Sequence, residues 1–333
     1  MPPTAPSEAA SVPAVVEPAA LPIVSVEVQT REFEAAATFA VAALAPATRR
    51  AYRDDWKRFK EWCDRRGLVA LPAEPEVVAA FLAAGANAGL KPATVARRSA
   101  AIRYAHGLDR KEPPTSTMQV RATVAGIRRR QGVAPKRKTP ATADRIAAMV
   151  ALAPTGTLRG LRDRALILLG FAGAFRRSEL VALRVEDLEE TPDGLRVPIR
   201  RSKGDQEGAG QDIAIPHGAR LRPLAAMREW LDAAGIESGP VFRRVRKNGR
   251  VGDEPLNAES VVEIIKSYAA RAGLRPEDFA GHSLRSGFLT SAAEAGASAL
   301  RMAEVSRHKS LDTLLGYVRR ADQFRDHAGS SFL

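Results

Sequence analysis

Apolar residues recur at helical spacing along most of this chain, and in one place their period falls to two. From Tyr52 to Cys63 the large apolar side chains stand three or four positions apart, which places them on one face of a helix. Between Leu195 and Ile215 the apolar residues alternate instead, on both sides of a Gly-rich segment, which indicates a β-hairpin. The pattern therefore predicts a mainly α-helical protein with one small antiparallel β-sheet.

Composition divides the chain into four parts. The first is rich in Ala, Pro and Val without a sustained period, which is typical of a disordered tail. In the second we expect a first helix that is capped by Thr48 and ends near Gly67. The four predicted parts are a tail (1–32), a basic helical domain (33–132), a polar linker (133–141) and a mostly helical domain that carries the hairpin (142–333).

Positive charge is concentrated outside the tail. The formal net charge is +13, and the first 46 residues contain five Glu against one Arg. The remainder therefore carries about +17. An excess of this size favours a polyanionic partner, because neutralised phosphates release counterions. A solvated basic surface without a partner is the alternative explanation.

Several other classes of protein are disfavoured by the sequence. Cys63 is the single cysteine, so no intrachain disulfide can form, and we expect it to be buried. No Cys/His cluster has zinc spacing, and no apolar run reaches the about 18 residues of a membrane span. The first residues lack the basic segment of a signal peptide. We expect a cytoplasmic, nucleoid-associated bacterial protein without metal or cofactor.

Three side chains fit cleavage of a phosphodiester without a metal. Tyr317 is a candidate nucleophile, and its phenolate is a better leaving group than an alkoxide, so a phosphotyrosine bond stores energy for religation. Arg176 and Arg285 can each direct two N–H groups to nonbridging oxygens. Both would stabilise the negative charge of the pentacoordinate transition state.

Three further side chains can transfer or share protons. His282 can accept the phenol proton, because an imidazole titrates near neutrality. Lys203, in the Gly-flanked turn of the hairpin, can protonate the 5′ oxygen. His308 can donate a hydrogen bond to the phosphate. Taken singly, each of these residues has an ordinary structural explanation, such as a solvated turn or a surface ion pair.

In combination, the spacing resembles the tyrosine recombinases of the phage integrase family. Their signature runs Arg-x-x-Glu, a Lys in a β-hairpin, His-x-x-Arg, a His or Trp, and the Tyr. The resemblance covers about residues 45–320 and looks closest to Cre and its plasmid or transposon relatives. It makes Tyr317 the nucleophile and adds Glu179 as a support for the activating residues, which are Arg176, Lys203, His282, Arg285 and His308.

Three departures from the family pattern are visible. Arg177 directly follows Arg176, so the register there rests on the Glu three places after Arg176. His308 stands where Cre has Trp. Arg307 stands where many relatives have Gly. None of these removes a function that the chemistry requires.

The resemblance also implies a fold, partners and a reaction. The fold would be a SAM-like core-binding domain followed by a DNA breaking-rejoining catalytic domain. Two protomers would clamp double-stranded DNA at an inverted repeat, and two such complexes would form a homotetramer. Strands would be exchanged through 3′-phosphotyrosine bonds and a Holliday junction, without a cofactor. The segment from Gln323 to Leu333 would dock on a neighbouring protomer.

Basic residues outside the signature are candidate DNA contacts. They lie on the third predicted helix, in the linker and in the run that follows Val241. The set is Arg97, Arg98, Arg103, Lys136, Arg137, Lys138, Arg243, Arg244, Arg246 and Lys247.

Two other functions compete with recombination. A type IB topoisomerase uses the same Arg, Lys, His and Tyr chemistry to relax supercoils. A DNA-binding regulator that has lost catalysis would share the fold, although the complete residue set disfavours it. The sequence does not specify the target site, nor does it distinguish integration, excision and plasmid or cointegrate resolution.

Overall fold

The computed structural model describes residues 32, 35, 38, 39, 43–132, 138–199, 210–308 and 310–323. The chain forms two compact units, Met1–Ala134 and Pro135–Leu333, called here the N-terminal and C-terminal units. Apart from Glu32, the predicted tail lies outside the described residues. Within the described ranges, no helix is both long and apolar enough to cross a membrane.

Four helices build the described part of the N-terminal unit. A 3-10 turn at Pro114–Ser116 precedes the last of them. The expected cap at Thr48 is wrong, because the first helix begins at Pro46 with Ala45 before it. Proline suits the first helical position, since its fixed φ is helical and its missing N–H is not needed there. The helices are α1 (Pro46–Asp64), α2 (Pro75–Asn87), α3 (Pro92–Leu108) and α4 (Met118–Gln131).

Aromatic and aliphatic side chains fill the core between these helices. Phe59 and Phe81 lie with ring centroids 5.0 Å apart. Cys63 is buried beside them as predicted, and burial raises the pKa of its thiol. His106 is also buried, where its Nε2 accepts a hydrogen bond from the Ala73 backbone at 3.0 Å. The helical domain therefore has a hydrophobic core of its own.

Eight helices and five strands form the described part of the C-terminal unit. The strands lie between the third and the fifth helix. The helices are α5 (Ala143–Ala151), α6 (Leu158–Ala172), α7 (Arg177–Ala182), α8 (Pro223–Ala234), α9 (Ala258–Arg271), α10 (Ser283–Glu294), α11 (Ala299–Ser306) and α12 (Leu311–Ala321). The strands are β1 (Glu189–Thr191), β2 (Gly194–Ile199), β3 (Gln211–Pro216), β4 (Arg243–Val245) and β5 (Val251–Pro255).

The predicted hairpin is formed by β2 and β3. The two strands are antiparallel, with Leu195 opposite Ile215 and Val197 opposite Ile213, and all four side chains are buried. Strand β1, which pairs with β2, and the separate hairpin of β4 and β5 were not predicted from the sequence. The mainly helical fold with a small antiparallel sheet is confirmed.

Helix α6 occupies the middle of the core, and α10 packs against it. A polypeptide segment crosses α10 at a glycine: a Cβ atom added to Gly287 would lie 1.9 Å from the Ala141 carbonyl oxygen. The same segment is hydrogen-bonded to α10, since Ala141 N donates to Ser283 O at 3.0 Å and Ala143 N donates to Ser291 Oγ at 2.9 Å. These contacts hold the segment against α10 from Ser283 to Ser291.

Candidate active site

Arg176 and Glu179 meet at the N-terminus of α7. The backbone N–H of Arg176 donates to Glu179 Oε2 at 2.9 Å, and Arg176 Nη1 donates to Glu179 Oε1 at 2.5 Å. The side chain of Glu179 is 3% exposed and that of Arg176 is 17% exposed. A Glu at the third helical position commonly caps the helix, so the local sequence itself brings the two groups together. The role of Glu179 as a support for Arg176 in catalysis stays a prediction.

Arg285 lies in the first turn of α10 and is 1% exposed. Its Nη1 donates to the Ala174 carbonyl oxygen at 2.8 Å, in the loop that joins α6 to α7. Burial, followed by the charges of Arg176 and Arg307, lowers the pKa of Arg285 to about 9. The guanidinium therefore remains charged near pH 7 although burial disfavours its charged form, and an anion that approaches would stabilise the charge.

Arg307 belongs to the same cluster, although the sequence analysis gave it no role. It follows α11 with φ of 55° in the left-handed region, and its side chain is 3% exposed. Its Nη2 donates to Glu179 Oε2 at 2.6 Å. The one signal in the sequence was an Arg at a position where many relatives have Gly.

His308 follows directly and lies close to Arg285. Arg285 Nη2 is 3.3 Å from His308 Nδ1, and the buried hydroxyl of Ser306 is 2.9 Å from the same nitrogen. Because a guanidinium only donates, the contact with Arg285 favours the tautomer whose ring proton is on Nε2. The Ser306 hydroxyl, which donates to the Met302 carbonyl oxygen at 2.6 Å, favours the proton on Nδ1 instead. Burial, followed by Arg285 and Arg176, lowers the pKa of His308 to about 4. In the tautomer that carries its proton on Nε2, a neutral His308 can donate to a phosphate.

His282 and Tyr317 complete the group. His282 is exposed immediately before α10, and its charge is among those that lower the pKa of His308. Tyr317 is half-buried on α12 and acts electrostatically on Arg285. It packs on a small apolar cluster that includes Leu314. Five of the six predicted catalytic residues thus gather in one place.

The sixth, Lys203, lies outside the described residues. It belongs to the connection between β2 and β3, whose last described pair is Ile199 opposite Gln211. In the ranges that the structure describes, no group of three or more His, Cys, Asp or Glu side chains could hold a metal ion. The described residues of the candidate site present guanidinium, imidazole, carboxylate and phenol groups.

The candidate DNA contacts in the N-terminal unit differ in exposure, because a buried carboxylate lies close to two of them. Asp55 is 1% exposed, and Arg97 donates to it at 2.7 Å while remaining 47% exposed. Arg98 is 14% exposed, 3.7 Å from the same carboxylate, and its guanidinium covers the Phe81 ring. Arg98 is therefore largely buried and not displayed as expected, because a buried carboxylate requires nearby positive charge, and its contact with DNA stays a prediction. Arg103 is exposed as expected.

The run after Val241 is divided in the same way. Arg243 is 15% exposed and donates to the carbonyl oxygens of Pro240, at 2.9 Å, and Ser238. Arg243 is therefore largely buried, with donors that satisfy the preceding loop, and its contact with DNA stays a prediction. The three exposed members of this run are Arg244, Arg246 and Lys247.

The basic linker falls mostly outside the described residues. Lys136 and Arg137 are not among them. Lys138 is exposed, and its Nζ donates to the Glu277 carbonyl oxygen at 2.5 Å. Thr139 N also donates to Asp278 O at 2.8 Å. The described end of the linker therefore lies on the C-terminal unit.

Comparison with known proteins gives the family. Residues 140–323 match the phage integrase family, and residues 39–109 match the phage integrase N-terminal SAM-like domain. An integrase/recombinase XerD homologue of Selenomonas ruminantium is 40% identical over 85% of this chain and 84% of its own length. Tyrosine recombinase XerC of Mycobacterium sp. (strain KMS) is 30% identical over 81% of this chain and 87% of its own length.

Solved structures show the same fold at lower identity. A lambda integrase dimer bound to a COC′ core site has a TM-score of 0.60 at 20% identity and covers 91% of this chain and 79% of its own. XerH site-specific recombinase in a post-cleavage complex has a TM-score of 0.57 at 17% identity, covering 77% of this chain and 72% of its own. The match to the catalytic family model spans more than half of the chain. This chain therefore belongs to the phage integrase family and is a tyrosine recombinase.

Proposed function

We propose that the protein is a site-specific DNA recombinase in which Tyr317 is the nucleophile. The observation that carries the proposal is the clustering of Arg176, Arg285 and a neutral His308 beside this tyrosine. These groups match the demands of phosphoryl transfer, namely stabilisation of charge on the nonbridging oxygens and an adjacent phenol. The proposed substrate is double-stranded DNA, on which the protein would act in the cytoplasm.

Cleavage would proceed by direct displacement at phosphorus. The Tyr317 oxygen forms a bond to phosphorus as the bond to the 5′ oxygen breaks, which yields a 3′-phosphotyrosine and a 5′-hydroxyl. His282 accepts the phenol proton, and Lys203 supplies a proton to the departing oxygen. Negative charge on the phosphorane is stabilised by the guanidiniums of Arg176 and Arg285 and by His308 Nε2–H.

Strand exchange requires a second duplex and a larger assembly. We propose that two protomers bind the arms of an inverted repeat and that four protomers exchange strands through a Holliday junction. The relatives support this indirectly: the XerH complex contains a palindromic difH substrate, and the lambda integrase structure is a dimer on a core site. The proposed division of labour assigns DNA clamping to residues 33–132 and chemistry to residues 142–333. We also propose that the natural substrate is a mobile element or a plasmid, on which the protein carries out integration, excision or resolution.

The decisive experiment traps the covalent intermediate. Duplexes that bind the protein are selected from random sequence and then nicked near the scissile phosphate. After cleavage, the short fragment that bears the free 5′-hydroxyl diffuses away and cannot be religated. The wild-type protein should form a covalent adduct, and Tyr317→Phe should abolish the adduct and retain binding. Tyr104→Phe, a tyrosine of the N-terminal unit, is the matched control and should form the adduct normally.

Three outcomes would count against the proposal. An adduct with Tyr317→Phe would identify a different nucleophile. No adduct from any bound duplex would indicate a DNA-binding regulator. Relaxation of supercoiled plasmid without exchange between paired sites would indicate a topoisomerase instead.

A further inference from the structure

Arg307 is a third guanidinium in the candidate active site, and its position is unusual for an arginine. Its φ of 55° lies in the left-handed region, where side chains with a Cβ are disfavoured and glycine is preferred. The charged end is also withdrawn from solvent, with 3% of the side chain exposed. A residue that combines a strained backbone with a buried charge is retained by strong contacts elsewhere.

Those contacts tie Arg307 to the residues that surround Arg176. Its Nη2 donates to Glu179 Oε2 at 2.6 Å, and its Nη1 donates to Val305 O at 3.1 Å and to Gly173 O at 3.5 Å. Its guanidinium carbon lies 5.6 Å from the centroid of the Phe175 ring. Both terminal nitrogens are therefore engaged by the protein. Arg307 is not arranged to bind a phosphate itself.

The carboxylate of Glu179 is shared between two arginines. Oε1 accepts from Arg176 Nη1 at 2.5 Å, while Oε2 accepts from Arg307 Nη2 at 2.6 Å and from the Arg176 backbone at 2.9 Å. A carboxylate bound on both oxygens has a fixed orientation. Arg307 thereby reinforces the contact of the Arg176 backbone with Oε2, and the two together fix where Glu179 presents the oxygen that holds the Arg176 side chain.

The binding of Glu179 to two arginines also affects the net charge near the phosphate site. If Glu179 paired with Arg176 alone, its negative charge would cancel the charge that the phosphate needs. With Arg307 on the other oxygen, the group of two guanidiniums and one carboxylate carries a net charge of +1. Arg176 therefore remains effective as a cation while its guanidinium is held in place.

We propose that Arg307 is a positioning residue for strand cleavage, which acts through Glu179 to orient Arg176 and to preserve its positive charge for the scissile phosphate. The proposal rests on the function proposed above. It assigns a purpose to a residue that departs from the family pattern. Arg307 touches no reacting atom, so its effect should appear in the rate of cleavage and not in DNA affinity.

The test compares two substitutions at Arg307 in single-turnover cleavage of the nicked duplex at saturating protein. Arg307→Gly relieves the backbone strain and removes the guanidinium, whereas Arg307→Met keeps an apolar stem on Phe175 and removes the charge. Both should slow cleavage by about 10- to 100-fold, the usual effect of losing a group that orients a reacting residue. Affinity for the intact duplex should change less than about threefold, since no phosphate contact is lost. Arg301→Met, which removes an exposed ion pair with Glu304 on the preceding helix, is the matched control and should cleave at the wild-type rate.

Chemical rescue and a double mutant separate positioning from a general loss of stability. Guanidinium ions at low millimolar concentration should partly restore cleavage by Arg307→Gly, whereas sodium at equal ionic strength should not. In a Glu179→Gln background, Arg307→Met should cost little further rate, because the intermediary is already lost. If Arg307→Gly does not fold, the Met variant and its double mutant decide the question.

Two results would overturn the proposal. One is cleavage at the wild-type rate by the Arg307 variants, and the other is a fully additive loss in the Glu179→Gln background. The tyrosine test is run in parallel so that the two proposals fail separately. If the wild-type protein forms no adduct, the proposed function itself fails, whereas an adduct of normal rate in the variants rejects only the role of Arg307.

Discussion

Replacing Gly287 by alanine should destabilise the C-terminal unit, because the backbone of another segment occupies the space of the added methyl group. The new Cβ would lie 1.9 Å from Ala141 O, 2.3 Å from Ala141 C and 2.9 Å from Ala141 N. All three are backbone atoms, so no side chain can rotate away. Ordinary contact begins near 3.4 Å, and the segment must therefore move by about 1.5 Å at its closest atom.

The expected change in the free energy of unfolding follows from two destabilising contributions and one stabilising contribution. Overpacking of this kind costs about 1–3 kcal/mol. A shift of the segment also weakens the hydrogen bonds of Ala141 N and Ala143 N to α10, at about 1 kcal/mol each. Alanine recovers about 1 kcal/mol of helix propensity. The expected net loss is about 2–4 kcal/mol, which corresponds to about 5–15 °C in the unfolding temperature of a unit of this size.

Scanning calorimetry of the full-length protein measures this shift. Gly316→Ala is the matched control, since it also lies within a helix of the C-terminal unit and its added Cβ would meet nothing within 4 Å. That variant should be stabilised by about 1 kcal/mol, which is the opposite sign. An unfolding temperature at or above wild type for Gly287→Ala would refute the close approach of Ala141 to α10. The same variant should cleave DNA more slowly, because α10 carries Arg285.

Two further predictions concern proton transfer. Lys203→Ala should slow cleavage of an ordinary phosphodiester by about 10²–10⁴-fold. It should spare a substrate with sulfur at the bridging 5′ position, since a thiolate leaves without a proton. Equal losses of rate on both substrates would exclude Lys203 as the acid. The pKa of His308, lowered to about 4, should be visible in an NMR titration and should rise when a phosphate binds. Because this pKa lies below the unfolded value, the stability contributed by the neutral ring is complete above about pH 6.5 and is lost as pH falls toward 4. A midpoint near 6.5 in the free protein would contradict the assignment.

Sequence periodicity predicted the helices and the larger hairpin because each buries a regular apolar face. It missed the hairpin of β4 and β5, where Val245 is the fully buried residue and most of β5 is exposed. A local signal for this turn was nevertheless present. The turn runs from Arg246 to Gly249, where Gly249 N donates to Arg246 O at 3.0 Å. Gly249 has φ of 82°, and Arg250 N donates to the Asn248 side chain at 3.1 Å. An Asn-Gly pair is a strong hairpin signal even where alternation is weak.

The roles of individual arginines were harder to predict than the fold. Arg97 and Arg98 are adjacent in the sequence, yet one is half exposed and the other largely buried. The difference depends on Asp55, 42 positions away from Arg97. Spacing reveals which positions share a helix face, but long-range pairing decides whether a guanidinium reaches solvent or neutralises a buried carboxylate. Glu179 was expected as a support from the family resemblance, and its contact with Arg176 is local, whereas its contact with Arg307, 128 positions away, was not predicted.

The free protein keeps more positive charge in the candidate site than its own residues neutralise. Arg176 and Arg307 both oppose the charge on Arg285, and the carboxylate that favours this charge, Glu179, is shared by all three. Burial lowers the pKa values of Arg285 and Arg307, which means that both positive charges are held against a tendency to be lost, and the same burial keeps His308 neutral. A bound phosphodiester would reverse this, because an anion at the centre favours every one of these charges. The fold therefore accepts a less stable unliganded site in exchange for one that is already arranged for the charge that develops during cleavage, which is the condition under which electrostatic stabilisation is most effective.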